Sequence, residues 1–185
     1  MRIAVFIVFA LVFLTLDTRV MELLRIGPLA PSLLGTLAVF VVMSAPRRAA
    51  LWSGLLLGLM LDLSAPALFE GVAVYYLVGP FTLGFFFGVH VVLPMRSMVF
   101  KRNPLTFGLL SVVFLMAVSI VYVALWHIRA FYPGSPAPWG SGPISAELLH
   151  RLLWSLYSGA LAIPIGWALV RTSRLWGFSQ AASRR

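Results

Sequence analysis

Few residues in this chain combine a reactive type with a suggestive position. Asp62 stands inside an apolar run, thirteen residues after Ala49. At 1.5 Å per residue that is about 20 Å along a helix. A lone carboxylate at such a depth costs a few kcal/mol and is by default a functional-site hypothesis. Near the end of a short helix it can instead serve as a cap or meet water, and both readings stay open. Gly54 and Gly58 precede Asp62 at steps of four, so all three share one helix face. Gly84 and Gly88 repeat the spacing in the next apolar run. Small residues four apart let a second helix approach closely, either within the chain or from a partner. Beyond this the chemistry is thin. With no cysteine there is no thiolate nucleophile, thiolate metal site or disulfide. There is no HExxH pair for zinc, and Ser158-Gly159 lacks the glycine that precedes a nucleophile turn. His90 belongs to one side of the membrane, His127 and His150 to the other, which separates the three possible imidazole ligands. Acid–base work would need a second carboxylate beside Asp62, and Asp17 is interfacial. The expectation is no catalytic residue, no metal and no cofactor.

The elements that position these residues follow from composition. The chain has 185 residues, 61% hydrophobic, with 14 basic and 5 acidic side chains and a net charge of +9. Mean hydropathy is +1.00. Charged residues make up 10%, against about 25% in soluble domains. This excludes a water-soluble globule, a disordered chain and a nucleic-acid-binding domain, because the basic residues lie between apolar runs and form no patch. Long continuous apolar runs without period-2 alternation select membrane helices over a barrel.

Spanning a hydrocarbon core takes roughly 20 apolar residues. Six candidates meet or approach this: residues 3–24, 28–45, 49–63, 71–92, 105–126 and 148–170. Loop charges orient them. With the N-terminus inside, ten of the fourteen basic residues fall on the inner side (Arg2, Arg47, Arg48, Arg96, Lys101, Arg102, Arg171, Arg174, Arg184, Arg185). All five acids (Asp17, Glu22, Asp62, Glu70, Glu147) fall toward the outer side. This positive-inside pattern predicts an all-α integral membrane protein of one domain, with six spans, N-in and C-in. Five spans with a re-entrant third segment is the alternative. Tyr75, Tyr76, Tyr122, Tyr132, Tyr157, Trp126, Trp139 and Trp154 map to the outer boundary, and Trp52, Trp167 and Trp176 to the inner one, as aromatic belts. The N-terminal run ends in Leu16-Asp17-Thr18 without a small-residue cleavage site, and reads as a retained first span.

Residues 127–146 hold four prolines and are expected to be a non-helical outer loop, a stiff spacer in preference to a docking surface. Ser145 and Glu147 are expected to start the last span, and Glu70 the fourth. Pro80, after Gly79, should kink that fourth span near its middle. The basic tail, residues 171–185, is expected to fix orientation in preference to binding anionic lipid.

The stretch 26–88 resembles the rod shape-determining MreD family. It carries Ile26-Gly27-Pro28-Leu29-Ala30-Pro31, the pair Arg47-Arg48, the string Gly54-Leu55-Leu56-Leu57-Gly58-Leu59-Met60-Leu61-Asp62-Leu63, a turn at Pro66 and a span opening at Gly71. Glu70-Gly71 stands where that family more often has Leu-Gly, and the long outer loop has no matched counterpart. The resemblance implies a multi-pass subunit of the bacterial inner (cytoplasmic) membrane and its elongation machinery. It implies MreC as partner, and through MreC the RodA glycosyltransferase, the class B penicillin-binding transpeptidase and, indirectly, MreB filaments. It also implies a fold similar to the substrate-binding subunits of energy-coupling-factor transporters.

The expected function is therefore a non-catalytic membrane scaffold contributing to rod shape and lateral peptidoglycan synthesis. Its helix-packing and partner-binding residues would be Gly54, Gly58, Asp62, Pro66, Gly71, Gly84 and Gly88, set among membrane lipid and contacting no nucleic acid. The alternative is a transporter substrate-binding subunit, which needs an outward polar pocket, and a more distant one is an intramembrane hydrolase.

Overall fold

The computed structural model describes residues 2–64, 67–69, 73–75, 78–97, 103–131, 138–139 and 142–177. Among these the chain is helical apart from one short hairpin. Its elements are α1 (Ile3–Thr15), which continues through a π turn (Leu16–Val20) and a 3-10 turn (Met21–Leu24), α2 (Leu33–Ser44), α3 (Arg47–Ser64), β1 (Ala67–Phe69), β2 (Ala73–Tyr75), α4 (Pro80–Met95), α5 (Pro104–Arg129) and α6 (Ile144–Thr172).

α2 is the hub. Every residue from Leu33 to Met43 is buried, and the helix touches α1, α3, α4, α5 and α6. A helix apolar on all sides belongs in such a place. α3, α4, α5 and α6 pack in succession around it. Phe85 of α4 meets Phe114 of α5 edge-on at 5.1 Å between ring centres, a favourable aromatic geometry. α1 packs on α2 and α3 and leaves Ile3, Ile7, Val8, Leu11 and Val12 exposed. Leu105, Leu109 and Ile120 of α5 and Leu149, Leu153 and Leu156 of α6 are exposed likewise. So much outward apolar surface calls for a non-aqueous surrounding.

Three helical segments are long and apolar enough to cross a membrane: Ile3–Val20, Leu105–Arg129 and Ile144–Thr172. α2 and α4, with 12 and 16 residues, reach only about 18 and 24 Å, short of a hydrocarbon core of about 30 Å.

Several expected boundaries move. The second span, expected at 28–45, starts at Leu33. Gly27 adopts φ +59, and Ile26 and Leu29 exchange backbone hydrogen bonds of 2.9 and 3.1 Å across it, so this stretch is a tight turn. The fourth span, expected at 71–92, is Pro80–Met95. Ala73–Tyr75 instead pairs antiparallel with Ala67–Phe69, which places Tyr75 on a strand and not on a helix end. Pro80 opens α4 and does not kink it, with Gly79 before it at φ +140. Proline suits the first helical position, where its missing N–H would bond nothing. α6 opens at Ile144 after Pro143, so Ser145 is not the cap, although Glu147 does lie in the first turn. Residues 127–129 and 144–146, expected in the loop, belong to α5 and α6. Trp176, expected at an interface, is fully buried between Phe9 at 4.8 Å and Phe40 at 5.2 Å. Glu70, Pro66, Gly71, Tyr76 and Tyr132 lie outside the described residues.

The bundle has two chemically distinct ends. The Arg2 N–H donates to the Trp176 carbonyl at 2.9 Å, so α1 begins where α6 ends. Arg96 at the end of α4 donates from Nη1 to the Ala45 carbonyl at 2.9 Å and the Val42 carbonyl at 3.4 Å, at the end of α2. Arginine there satisfies orphan carbonyls and complements the negative end of the helix dipole. The opposite end holds Asp17, Asp62 and Glu147.

Candidate functional site

Asp62 lies in the last turn of α3 and is 2% exposed. Its carboxylate reaches forward to the next helix. Oδ2 accepts from the Gly79 N–H at 2.9 Å, the Thr82 N–H at 2.9 Å and the Thr82 hydroxyl at 2.6 Å, and Oδ1 accepts from the Phe81 N–H at 3.0 Å. The first turn of a helix leaves N–H groups without internal partners and carries partial positive charge. Gly79 has no side chain with which to cap α4, and Asp62 supplies the cap from across the hairpin. Each N–H is matched to a charged acceptor, which explains how a buried carboxylate is tolerated.

The glycines upstream allow that reach. A Cβ on Gly58 would sit 2.5 Å from the Phe81 carbonyl oxygen and 2.7 Å from the Thr82 Cα. A Cβ on Gly54 would sit 2.6 Å from a Val89 methyl. The Gly54, Gly58 and Asp62 face is thus the seat of α4. Gly84 and Gly88 serve a different contact: added Cβ atoms would meet Val118 at 3.0 Å and the Phe114 ring at 2.8 Å, both on α5. The two glycine pairs therefore do not interlock. One brings α4 onto α3, the other brings α5 onto α4, and both are used within the chain. Gly108 of α5 and Gly159 of α6 continue the series: a Cβ added to either would lie 3.0 Å from the other's carbonyl oxygen.

A second aspartate does the same work and was not singled out by its sequence position. Asp17, in the π turn after α1, accepts from the Leu33 N–H at 2.5 Å, the Leu34 N–H at 3.3 Å and the Ser32 hydroxyl at 3.0 Å. It caps α2 as Asp62 caps α4. The sequence carries a signal for this: both apolar runs close on Leu-Asp, at Leu16-Asp17 and Leu61-Asp62, and the following helices start 16 and 18 residues later. α6 then closes over the first cap. The Ser158 hydroxyl accepts from the Ser32 N–H at 3.0 Å, Trp154 Nε1 donates to the Ala30 carbonyl at 2.7 Å, and the Tyr157 hydroxyl donates to the Leu24 carbonyl at 2.7 Å. Nearby, Arg151 pairs with Glu147 at 2.7 Å and lies 3.8 Å over the Tyr122 ring, a desolvated cation–π contact.

Among the described residues no three His, Asp or Glu side chains gather to hold a metal ion. Asp62 and Asp17 have their oxygens directed at helix N-termini, so each is committed to the fold. Pro66 and Gly71, the remaining expected site residues, lie outside the described residues.

The chain matches no family model, no curated protein and no solved structure. Among the described residues the fold is helical but for one short hairpin, with three helices long and apolar enough to cross a membrane.

Proposed function

We propose that this chain is a six-span, N-in and C-in scaffold subunit of the bacterial inner membrane, of the MreD type. It holds MreC and, with it, the RodA–transpeptidase pair, and so contributes to rod shape and lateral peptidoglycan synthesis. Its mechanism is assembly by helix packing.

The observation that carries this reading is the use made of Asp62. The string Gly54 to Asp62, which bears the resemblance, builds one rigid α3–α4 hairpin, with its single acid engaged by α4. A substrate-binding subunit would present such an acid to a ligand. The placement of Arg2 against Trp176 supports the paired inner termini, since an even number of crossings returns the chain to its starting side. The short α2 fits a six-pass path as well, because a helix enclosed by others need not match the lipid thickness. With the packing glycines occupied internally, a partner's span must seat on the apolar exterior.

The test is a gentle-detergent pull-down of the tagged protein from its own host, with co-purifying membrane proteins identified by mass spectrometry. Recovery of MreC, RodA and the transpeptidase is the expected result. Recovery of paired ATPases with a coupling subunit would overturn it in favour of an energy-coupling-factor transporter.

A further inference from the structure

We propose that the groove between the start of α3 and the end of α4 binds the headgroup of an anionic phospholipid. A cavity of about 370 Å³ opens there, lined by Arg47, His90, Leu93, Pro94 and Arg96. Two arginines line one space. The three acids with described side chains, Asp17, Asp62 and Glu147, all stand at the other end of the bundle, so no carboxylate among them compensates this charge. Arg96 is held in place by its Nη1 bonds to the carbonyls that end α2. A planar fork fixed in this way is prepared for a phosphate. His90 Nδ1 lies 3.0 Å from the Phe86 carbonyl oxygen. That oxygen can only accept, so Nδ1 carries the proton and Nε2 is left as an acceptor, which suits a hydroxyl of the headgroup and leaves the phosphate to the arginines.

The surroundings select a lipid over a free anion. Leu83, Phe87, His90 and Pro94 follow one another at steps of four, three and four, a single stripe of α4, and all four are exposed. Leu83 and Phe87 are 48% and 46% exposed. On α3, Leu51 and Leu55 continue from Arg47 at steps of four and are partly exposed. An acyl chain would therefore lie on apolar side chains directly beyond the cationic pocket. Basic pockets between membrane helices are known seats for acidic headgroups. The inference is independent of which proteins bind the chain.

The test uses the full chain in mild detergent, titrated with phosphatidylglycerol or phosphatidylcholine and read by native mass spectrometry. The wild type should retain phosphatidylglycerol in preference to phosphatidylcholine. Arg47→Gln should lower that retention about fivefold, the worth of one interfacial charge. His90→Leu, at an exposed position, removes the acceptor and should lower it as well, which guards against a folding artefact in the first variant. Arg19→Gln, an exposed arginine in the π turn at the other end of the bundle, should leave it unchanged. Equal retention of the two lipids would overturn the proposal, as would an equal loss in Arg19→Gln. Displacement of the lipid by millimolar inorganic phosphate would also overturn it and assign the pocket to a soluble anion.

Discussion

Asp62 and Asp17 answer one physical problem at two places. A helix that begins inside an apolar bundle exposes N–H groups that water cannot reach, and an ionised carboxylate is the strongest side-chain acceptor available to them. Asparagine keeps the shape but offers one acceptor oxygen, and its amide hydrogens would face N–H groups. Asp62→Asn should destabilise the chain by about 2 kcal/mol, seen as a lowered midpoint on thermal unfolding in detergent. Asp17→Asn should cost less, since Asp17 accepts three hydrogen bonds and Asp62 four. Equal midpoints for wild type and Asp62→Asn would show that the cap carries no weight. The glycines permit a sharper comparison. Gly54 faces a side-chain methyl, whereas Gly58 faces backbone. Gly58→Ala should therefore lose about 1–3 kcal/mol, and no neighbouring truncation should restore it. Gly54→Ala should be largely rescued by Val89→Ala, a double-variant comparison made by the same unfolding midpoint. That Gly54, Gly58 and Asp62 share a face was legible from steps of four. That Asp62 addresses α4 was not, because the partner N–H groups lie 17 to 20 residues away.

At the scale of elements, hydrophobic runs located the helices and missed where two of them start. Periodicity records which residues are apolar, and residues in a turn packed under α6, such as Leu29 and Ala30, are as apolar as those in a helix. Pro80 shows the difference most plainly. Inside a span it removes a hydrogen bond; at the first position of α4 it removes none and presets φ. Pro80→Ala should therefore change stability by no more than about 1 kcal/mol and should leave the helix content by circular dichroism unchanged. A clear gain in stability and helicity would restore the reading of Pro80 as an internal kink. Gly79, with its φ of +140, explains why the pair Gly79-Pro80 marks a helix start: the glycine makes the turn that the proline then closes. α2 was legible as an apolar helix and not as a hub, since a run that is apolar all round fits either a lipid-facing or an enclosed helix.

For the whole molecule the open variable is its orientation in the membrane. The arginines Arg2, Arg47 and Arg96 gather at one end of the bundle and the three acids at the other. The proposed topology, by the positive-inside rule, puts the arginine end in the cytoplasm. The chain contains no cysteine, so single cysteines can be introduced without removing any native residue. Ser97, just after α4, and Leu175, in the turn after α6, are exposed at the arginine end, and Pro138, between α5 and α6, is exposed toward the other. On the proposed topology, a membrane-impermeant maleimide added to intact spheroplasts should label Pro138→Cys and spare Ser97→Cys and Leu175→Cys until the membrane is opened. A reversed pattern would invert the orientation while keeping six crossings. Labelling of Ser97→Cys and Leu175→Cys from opposite sides would break the six-span path itself, because α4 and α6 end together in the folded bundle. The last outcome would also separate Arg96 from the turn that holds Trp176, and with it the closure by which the start of α1 meets the turn after α6.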